Sequence, residues 1–218
     1  MKRKPVLFLI LAVAVLAAVG GGFSFWYQSH YFVKSEDARV AGDIYRVMPR
    51  IAGKLTSLQV SEGDTVLTDQ VVGQQDSTNL PTSNLDQAAL RSPISGTVIK
   101  TMAKAGEVVS PGQTIAMVVN KKELYVTANI EEVDIHRVQV GQTVEFTVDT
   151  FAGSTLSGKV IEIGEATAST FSLLPATNTS GNFTKITQRM PIKISIDDQQ
   201  GLGLSPGMSA VIKIHVKG

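Results

Sequence analysis

The side chains best suited to acid, base or metal chemistry are scattered along this sequence rather than grouped. The three histidines are His30, His136 and His215, and none has a second ligand at the spacing of a metal site. The chain has no cysteine, which excludes disulfides, thiolate ligands and cysteine nucleophiles. We therefore predict no metal site and interpret the histidines as surface or interface residues.

Two further patterns have a chemical and a structural interpretation. The carboxylates Glu131, Glu132 and Asp134 could work as an acid/base pair, but a carboxylate-rich helix start explains them without a partner motif. The glycine-rich "GLGLSPG" at 201–207 has Pro206 at the last glycine position of a dinucleotide loop, and it leads into a predicted strand. We interpret it as a β-turn. The sequence thus predicts no catalytic residue, no bound cofactor and no enzyme activity.

The elements around these residues have the pattern of a mainly β protein. Segments such as "GTVIKTM", "QTVEFTVDTF" and "SAVIKIHV" alternate apolar and polar residues, with glycine and proline at the breaks. Their close spacing favours small sandwiches or barrels, and one short helix is predicted near 130–138. The net charge of +1 argues against a nucleic-acid binder.

The N-terminal part has the pattern of a single transmembrane helix. Residues 6–27 carry no charge, and a bilayer core requires about 20 apolar residues. Lys2, Arg3 and Lys4, within the tail 1–5, should stay in the cytoplasm, while Trp26 and Tyr27 belong to an aromatic belt at the outer interface. A cleaved signal peptide with its apolar region at 7–19 is the alternative. Either interpretation places the body outside the cytoplasm, and the first makes it a single-pass protein of the cytoplasmic (inner) membrane.

The body contains an internal repeat. At an offset of 43, the difference between Gly53 and Gly96, Gly63 falls on Gly106 and the spacing of valines is kept. We expect all four glycines to lie in tight turns that need a positive φ. Each half has too few short strands to bury a core, so the two halves should close on each other.

The paired halves resemble a biotinyl/lipoyl-type barrel-sandwich domain. A swinging-arm carrier of that type needs a lysine between its halves to bind the cofactor. The connection here, residues 77–89, contains no lysine. A carrier role is therefore disfavoured.

Four further stretches are distinctive: "KSEDARVAGDIYRVMPRIAG" at 34–53, "LRSPISGTVIKTMAKAGEVVSPGQTIAMVV" at 90–119, "STFSLLPATNTSGNFTKITQRMPIKISID" at 169–197 and "LSPGMSAVIKIHV" at 204–216. They resemble HlyD/EmrA-type membrane fusion proteins, the adaptors of efflux and secretion systems. The resemblance implies a barrel-sandwich hybrid from 43–76 and 90–121, followed by a β-barrel domain at 122–218. A segment at 28–42 leads into this body from the anchor.

The connection departs from most of that family, which carries a long coiled-coil hairpin there. Residues 77–89 are too few for two helices of useful length at about 1.5 Å per residue, and Pro81 would break one of them. This chain is therefore expected to be a short form that lacks the hairpin.

The resemblance also implies a function and partners. The expected role is a non-catalytic adaptor that forms a homo-oligomer in the lipid bilayer beside a membrane transporter, here a major-facilitator drug/proton antiporter, with no nucleic acid involved. A cell-surface scaffold without a transport role is the alternative. The apolar loop near 170–183 is a candidate docking site for the transporter or a neighbouring protomer. Its expected contact residues are Phe171, Ser172, Leu173, Leu174, Pro175, Asn178, Phe183 and Arg189.

Mass spectrometry of the purified protein tests the anchor. We expect residues 6–27 to be retained, because an aromatic run follows the small residues instead of a cleavage site. A mature chain that starts near Gly21 would contradict the anchor and support a cleaved signal peptide.

Overall fold

The structure is a computed structural model that describes residues 14–16, 19–22, 30–78, 81–167 and 187–216. The predicted anchor residues Lys2, Arg3, Lys4, Trp26 and Tyr27 lie outside these ranges. Within the described ranges, no helix has both the length and the apolar character needed to cross a bilayer.

Nearly all described elements are strands, as the alternation predicts. In chain order they are β1 Phe32–Ala41, β2 Ile44–Val47, β3 Gly53–Leu58, β4 Thr65–Val66, β5 Val71–Gln75, β6 Ala89–Arg91, β7 Gly96–Thr101, β8 Val108–Val109, β9 Ala116–Val119, β10 Tyr125–Glu131, β11 Thr143–Val148, β12 Thr155–Ile163, β13 Arg189–Ser195 and β14 Ser209–His215. Short 3-10 helices cover Thr82–Ala88, Lys121–Glu123 and Asp149–Phe151, and one α-helical turn covers Glu132–Ile135.

The strands form two compact units. One, the sandwich unit, comprises Ala41–Tyr125 with Gly203–Pro206. The other, the barrel unit, comprises Met1–Val40, Val126–Leu202 and Gly207–Gly218. The predicted combination of a barrel-sandwich hybrid and a β-barrel is thus confirmed.

The barrel unit is a closed sheet with the strand order β1-β10-β13-β12-β11-β14. Closure removes the exposed sheet edges that would otherwise pair with other chains. Alternate residues of each strand fill the interior, and Phe146, Ile194 and Ile212 are among the fully buried ones. Each such side chain contributes roughly 1.5–3 kcal/mol through its removal from water.

The structure places β1 in the barrel, whereas the sequence pattern set residues 28–42 apart as a lead-in segment and began the barrel at 122. Phe32 pairs with His215 and Val33 with Ile214, so β1 lies beside the last strand of the chain. The register shifts between Ser35 and Ala38. This bulge interrupts the period-two pattern, which explains why the strand is hard to recognise in the sequence.

The predicted helix near 130–138 is much shorter in the structure. Ile130 belongs to β10, and only Glu132–Ile135 is helical. The N–H groups of Arg137 and Val138 then bond back to residues 134 and 135 at 3.0 Å, as in a tight turn. The acidic residues therefore mark one helical turn at a strand end.

The sandwich unit has two four-stranded sheets with the orders β2-β9-β7-β4 and β6-β5-β3-β8. Its core contains aliphatic residues from both halves of the repeat: Val47, Leu55, Val66, Val72, Leu90, Val98, Val109, Ile115, Ala116 and Val118. A contiguous core drawn from both halves agrees with the expectation that neither half is stable alone.

The two halves exchange strands through hydrogen bonds that repeat at the offset of 43. The Leu55 N–H donates to the Glu107 carbonyl at 2.8 Å, and the equivalent Val98 N–H donates to the Asp64 carbonyl at 2.9 Å. The N–H groups of Gly106 and Gly63 donate back to Leu55 and Val98 at 2.7 and 2.8 Å. The second half thus supplies the edge strand β8 beside β3, and the first supplies β4 beside β7.

The four repeated glycines have two different roles. Gly63 and Gly106 have φ values of 96° and 99°, as predicted for turns. The prediction was wrong for Gly53 and Gly96, which begin strands β3 and β7 rather than lying in a positive-φ turn. At Gly96 the requirement is space, because a Cβ atom there would lie 2.4 Å from the Val119 carbonyl oxygen.

Gly158 of β12 allows a test of such close packing in the barrel. A Cβ atom at this position would lie 1.8 Å from the Ser195 carbonyl oxygen, so we expect Gly158→Ala to destabilise the barrel by about 2 kcal/mol or more. Thermal unfolding followed by circular dichroism measures the effect.

Gly153→Ala is the matched control, because nothing lies within 4 Å of a Cβ atom built there. It should change the stability by less than about 0.5 kcal/mol. An unchanged melting temperature for Gly158→Ala would contradict the packing described for β12.

Candidate functional site

The connection between the two sandwich halves is bound to the body of the unit. Its 3-10 helix, Thr82–Ala88, places the Asp86 carboxylate 2.9 Å from Arg91 Nη2 and 3.8 Å from Arg50 Nη1. Ala88, the last residue of this helix, and Leu90, two residues further on, are buried. The described part of the connection is therefore a short cap held against the sandwich.

The chain leaves β5 through a hydrogen-bonded turn. Asp76 Oδ1 accepts hydrogen bonds from the hydroxyl and the backbone N–H of Thr78. These two bonds hold the pKa of the Asp76 carboxyl below its ordinary value of 3.8, and nearby Lys54 acts in the same direction. The start of the cap thus carries a fixed negative charge.

Gln75, just before this turn, is a buried polar residue that the sequence pattern did not reveal. Its side chain is 1% exposed, and Nε2 donates to the Ile51 carbonyl at 3.0 Å. Its Oε1 atom has no hydrogen-bond partner among the described residues. The equivalent position in the second half is Val118, so the two halves differ chemically at this end.

The barrel unit carries a polar groove of about 570 Å³. At its centre, Asp37 Oδ2 accepts hydrogen bonds from Arg189 Nη1 at 2.8 Å and from Asn129 Nδ2 at 3.1 Å. Ser35 Oγ donates to the Asn129 carbonyl at 2.7 Å. These residues lie on β1, β10 and β13, which are neighbours in the barrel, so the cluster joins three strands at the point where β1 bulges.

The wall of the groove carries charges of both signs. Lys34, Glu36, Glu131 and Asp134 line it together with the central cluster. The described residues contain no group of three or more His, Asp or Glu side chains that could hold a metal ion. The groove is therefore suited to recognise a polar surface through hydrogen bonds and ion pairs.

The structure describes only one of the predicted docking residues. Phe171, Ser172, Leu173, Leu174, Pro175, Asn178 and Phe183 lie outside the described residues. Arg189 is described and is bonded to Asp37, so it stabilises the barrel wall. Asp37 and Asn129 were missed, because they are 92 residues apart in the sequence and nothing near either one marks it as part of a cluster.

His215 lies in a small aromatic and charged cluster on the barrel. Its Nε2 atom is 3.2 Å from Glu145 Oε1, and its ring packs edge-on against Phe32 at 4.8 Å between centroids. The Lys213 ammonium lies 3.9 Å from the centre of the same Phe32 ring. This arrangement agrees with the interpretation of His215 as a surface residue.

Two family descriptions match the chain, one for each unit. The description "RND MFP, barrel-sandwich hybrid domain" matches residues 43–121. The description "YknX-like beta-barrel domain" matches residues 124–214. Together they cover both units described above, apart from strand β1.

Two curated relatives differ greatly in length. YhbJ of Bacillus subtilis (strain 168), named as an efflux system component, is 40% identical over 206 residues, which is 94% of this chain and 90% of YhbJ. The multidrug export protein EmrA of Escherichia coli (strain K12) is 33% identical over 156 residues, which is 69% of this chain and 40% of EmrA. This chain thus matches most of YhbJ but less than half of EmrA.

The fold agrees with a solved structure. The periplasmic adaptor protein EmrA superposes with a TM-score of 0.60 and 13% sequence identity, over 86% of this chain and 99% of the solved one. At this identity the likeness shows a shared fold.

In the Asp37 cluster, substitution of Asp37 should lower the free energy of unfolding more than substitution of Arg189. Asp37→Ala removes the acceptor of both Arg189 and Asn129, so we expect it to lower the free energy of unfolding by about 1 kcal/mol. Arg189→Ala should cost only about 0.3 kcal/mol, because both partners of this ion pair are partly exposed. Urea unfolding measures both variants.

Arg39→Ala is the control, because Arg39 is 64% exposed and lies 3.9 Å from the other Asp37 oxygen. It should have no measurable effect on stability. A neutral Asp37→Ala variant would show that the cluster does not stabilise the barrel.

Proposed function

This chain belongs to the HlyD/EmrA-type membrane fusion proteins and is an efflux adaptor, and we propose that it acts without catalysis, held at the cytoplasmic membrane beside a transporter. The observation that carries the proposal is the pairing of the two units in one chain. A doubled sandwich and a closed barrel match that family over most of the chain, and YhbJ shares almost the full length.

The sandwich supports an adaptor over a cofactor carrier. A carrier must present a lysine amine on the connection between its halves, and residues 77–89 contain none. The described part of the connection is also held close to the body by Asp86 and Arg91. A carrier arm that moves between active sites needs a connection that projects away from the body and is not held against it.

The short cap limits how far the protein can extend. A helical hairpin rises about 1.5 Å per residue, so residues 77–89 could not reach a second membrane. The adaptor is therefore suited to a transporter that exports directly from the cytoplasmic membrane, without a distant outer-membrane duct. The proposed partner is a major-facilitator drug/proton antiporter, supported by the relatives named for multidrug export.

Anchoring and assembly complete the proposal. The uncharged segment 6–27 would hold the chain in the bilayer, with residues 28 onward outside the cytoplasm. We propose that several copies assemble beside the transporter. The loop near 170–183 would contribute apolar contacts to the transporter, since its leucines and phenylalanines lie in an otherwise polar stretch.

Drug susceptibility of a strain that lacks the chromosomal copy tests this role. The wild-type chain should restore resistance and co-purify with the transporter. Leu173→Asp with Leu174→Asp should restore neither, although the protein is expressed and folded, because two carboxylates would have to be desolvated at an apolar contact.

Thr177→Asp with Thr179→Asp is the matched control, since it adds the same charge to polar positions of the same loop. It should behave like the wild type. Full resistance with the leucine variant would contradict docking through this loop, whereas a deletion strain with normal susceptibility would contradict the efflux role itself.

A further inference from the structure

The sandwich unit exposes one aliphatic side chain to an unusual degree. Val108 is 74% exposed, more than any other large apolar side chain in the part of the chain that the structure describes. It lies on β8, a two-residue edge strand that pairs on one side with β3. Nothing in its own sheet can cover it, because β8 is the last strand of that sheet.

A largely apolar groove lies at the equivalent edge of the other sheet. It has a volume of about 360 Å³ and runs along β4, with Val66, Leu67, Gly96 and Thr97 in its wall. Leu67 is 66% exposed there. The groove and Val108 are both within the sandwich unit.

The repeat makes the two edges equivalent in the backbone but not in their side chains. At the offset of 43, Thr65 corresponds to Val108 and Leu67 corresponds to Ser110. One edge thus has a projecting valine, and the other has a groove bordered by leucine. Val108 does not line the groove of its own chain, and its side chain is exposed for contact with another copy.

The charges beside the two features are opposite. Glu107 precedes Val108 and is exposed, and it forms no ion pair with any described residue. Lys122 lines the groove, is also exposed, and likewise forms no ion pair within the described ranges. The valine edge and the groove are therefore both apolar and carry opposite charges beside them.

We propose that Val108 of one copy docks into the β4 groove of a second copy, with Glu107 facing Lys122. The contact joins two different surfaces, so each bound copy keeps one free valine edge or one free groove. Repetition of the same contact builds a ring or an open row of adaptors. This inference rests on the proposed assembly beside the transporter and assigns the surfaces that mediate it.

Cysteine cross-linking of the full-length chain in membranes tests the geometry, because the natural chain has no cysteine. A variant with both Val108→Cys and Leu67→Cys should form a ladder of covalent oligomers under mild oxidation. Each single variant alone should stay monomeric, and a mixture of the two single variants should give dimers and nothing larger. Dimers from Val108→Cys alone would show a symmetric contact and overturn the proposal.

Charge reversal tests the ionic pair independently. Glu107→Lys and Lys122→Glu should each weaken self-association about tenfold, because like charges would face each other across the contact. The double variant should recover the wild-type dissociation constant, measured by sedimentation of the detergent-solubilised chain. Lys159→Glu, on the barrel, is the control and should change nothing.

The results that would overturn the contact between Val108 and the groove differ from the results that would overturn the adaptor role. No ladder from the double-cysteine variant, or cross-links only to the transporter, would overturn the assigned contact while co-purification and drug resistance remain normal. Loss of resistance in the deletion strain, restored by the wild-type chain, continues to support the adaptor role in either case.

Discussion

The sandwich depends on an exchange of short edge strands between its two halves. Each half supplies two edge strands to the sheet of the other, β2 and β4 from the first half and β6 and β8 from the second. Bonds such as Leu55 N–H to Glu107 and Val98 N–H to Asp64 hold this exchange together. A single half would leave these donors and acceptors unpaired beside an incomplete core. The repetition in the sequence is therefore a requirement for folding, and the connection between the halves is free to vary because it takes no part in the exchange.

The fold was largely predictable because period-two alternation and the repeat are both local patterns. The glycine turns at Gly63 and Gly106 followed from the same repeat, whereas Gly53 and Gly96 are explained by close approach to distant backbone, which spacing does not reveal. Strand β1 was missed because a bulge between Ser35 and Ala38 breaks its alternation. The Asp37 cluster was missed for a related reason, since its members lie far apart in the sequence and meet only when the barrel closes.

The surfaces of the two units carry polar and apolar sites that suit contacts with partners. The barrel interior is filled with aliphatic and aromatic side chains, which leaves the outer wall for function. On that wall, the polar groove places charges of both signs around hydrogen-bonded Asp37. Such a groove favours a partner that carries both positive and negative groups over a single anion or cation. The partner's charges must face groove charges of the opposite sign, which fixes its orientation.

The paired strands on either side of the cap have a consequence for what could replace the cap. Val71 pairs with Arg91 and Gln74 with Ala89, so the chain leaves and re-enters the sandwich at two points only one strand spacing apart. Any segment whose own ends lie close together, as in an antiparallel helical hairpin, can be grafted there at a small entropic cost and without shifting the sheets. The sandwich can thus keep its structure while the segment between β5 and β6 varies in length.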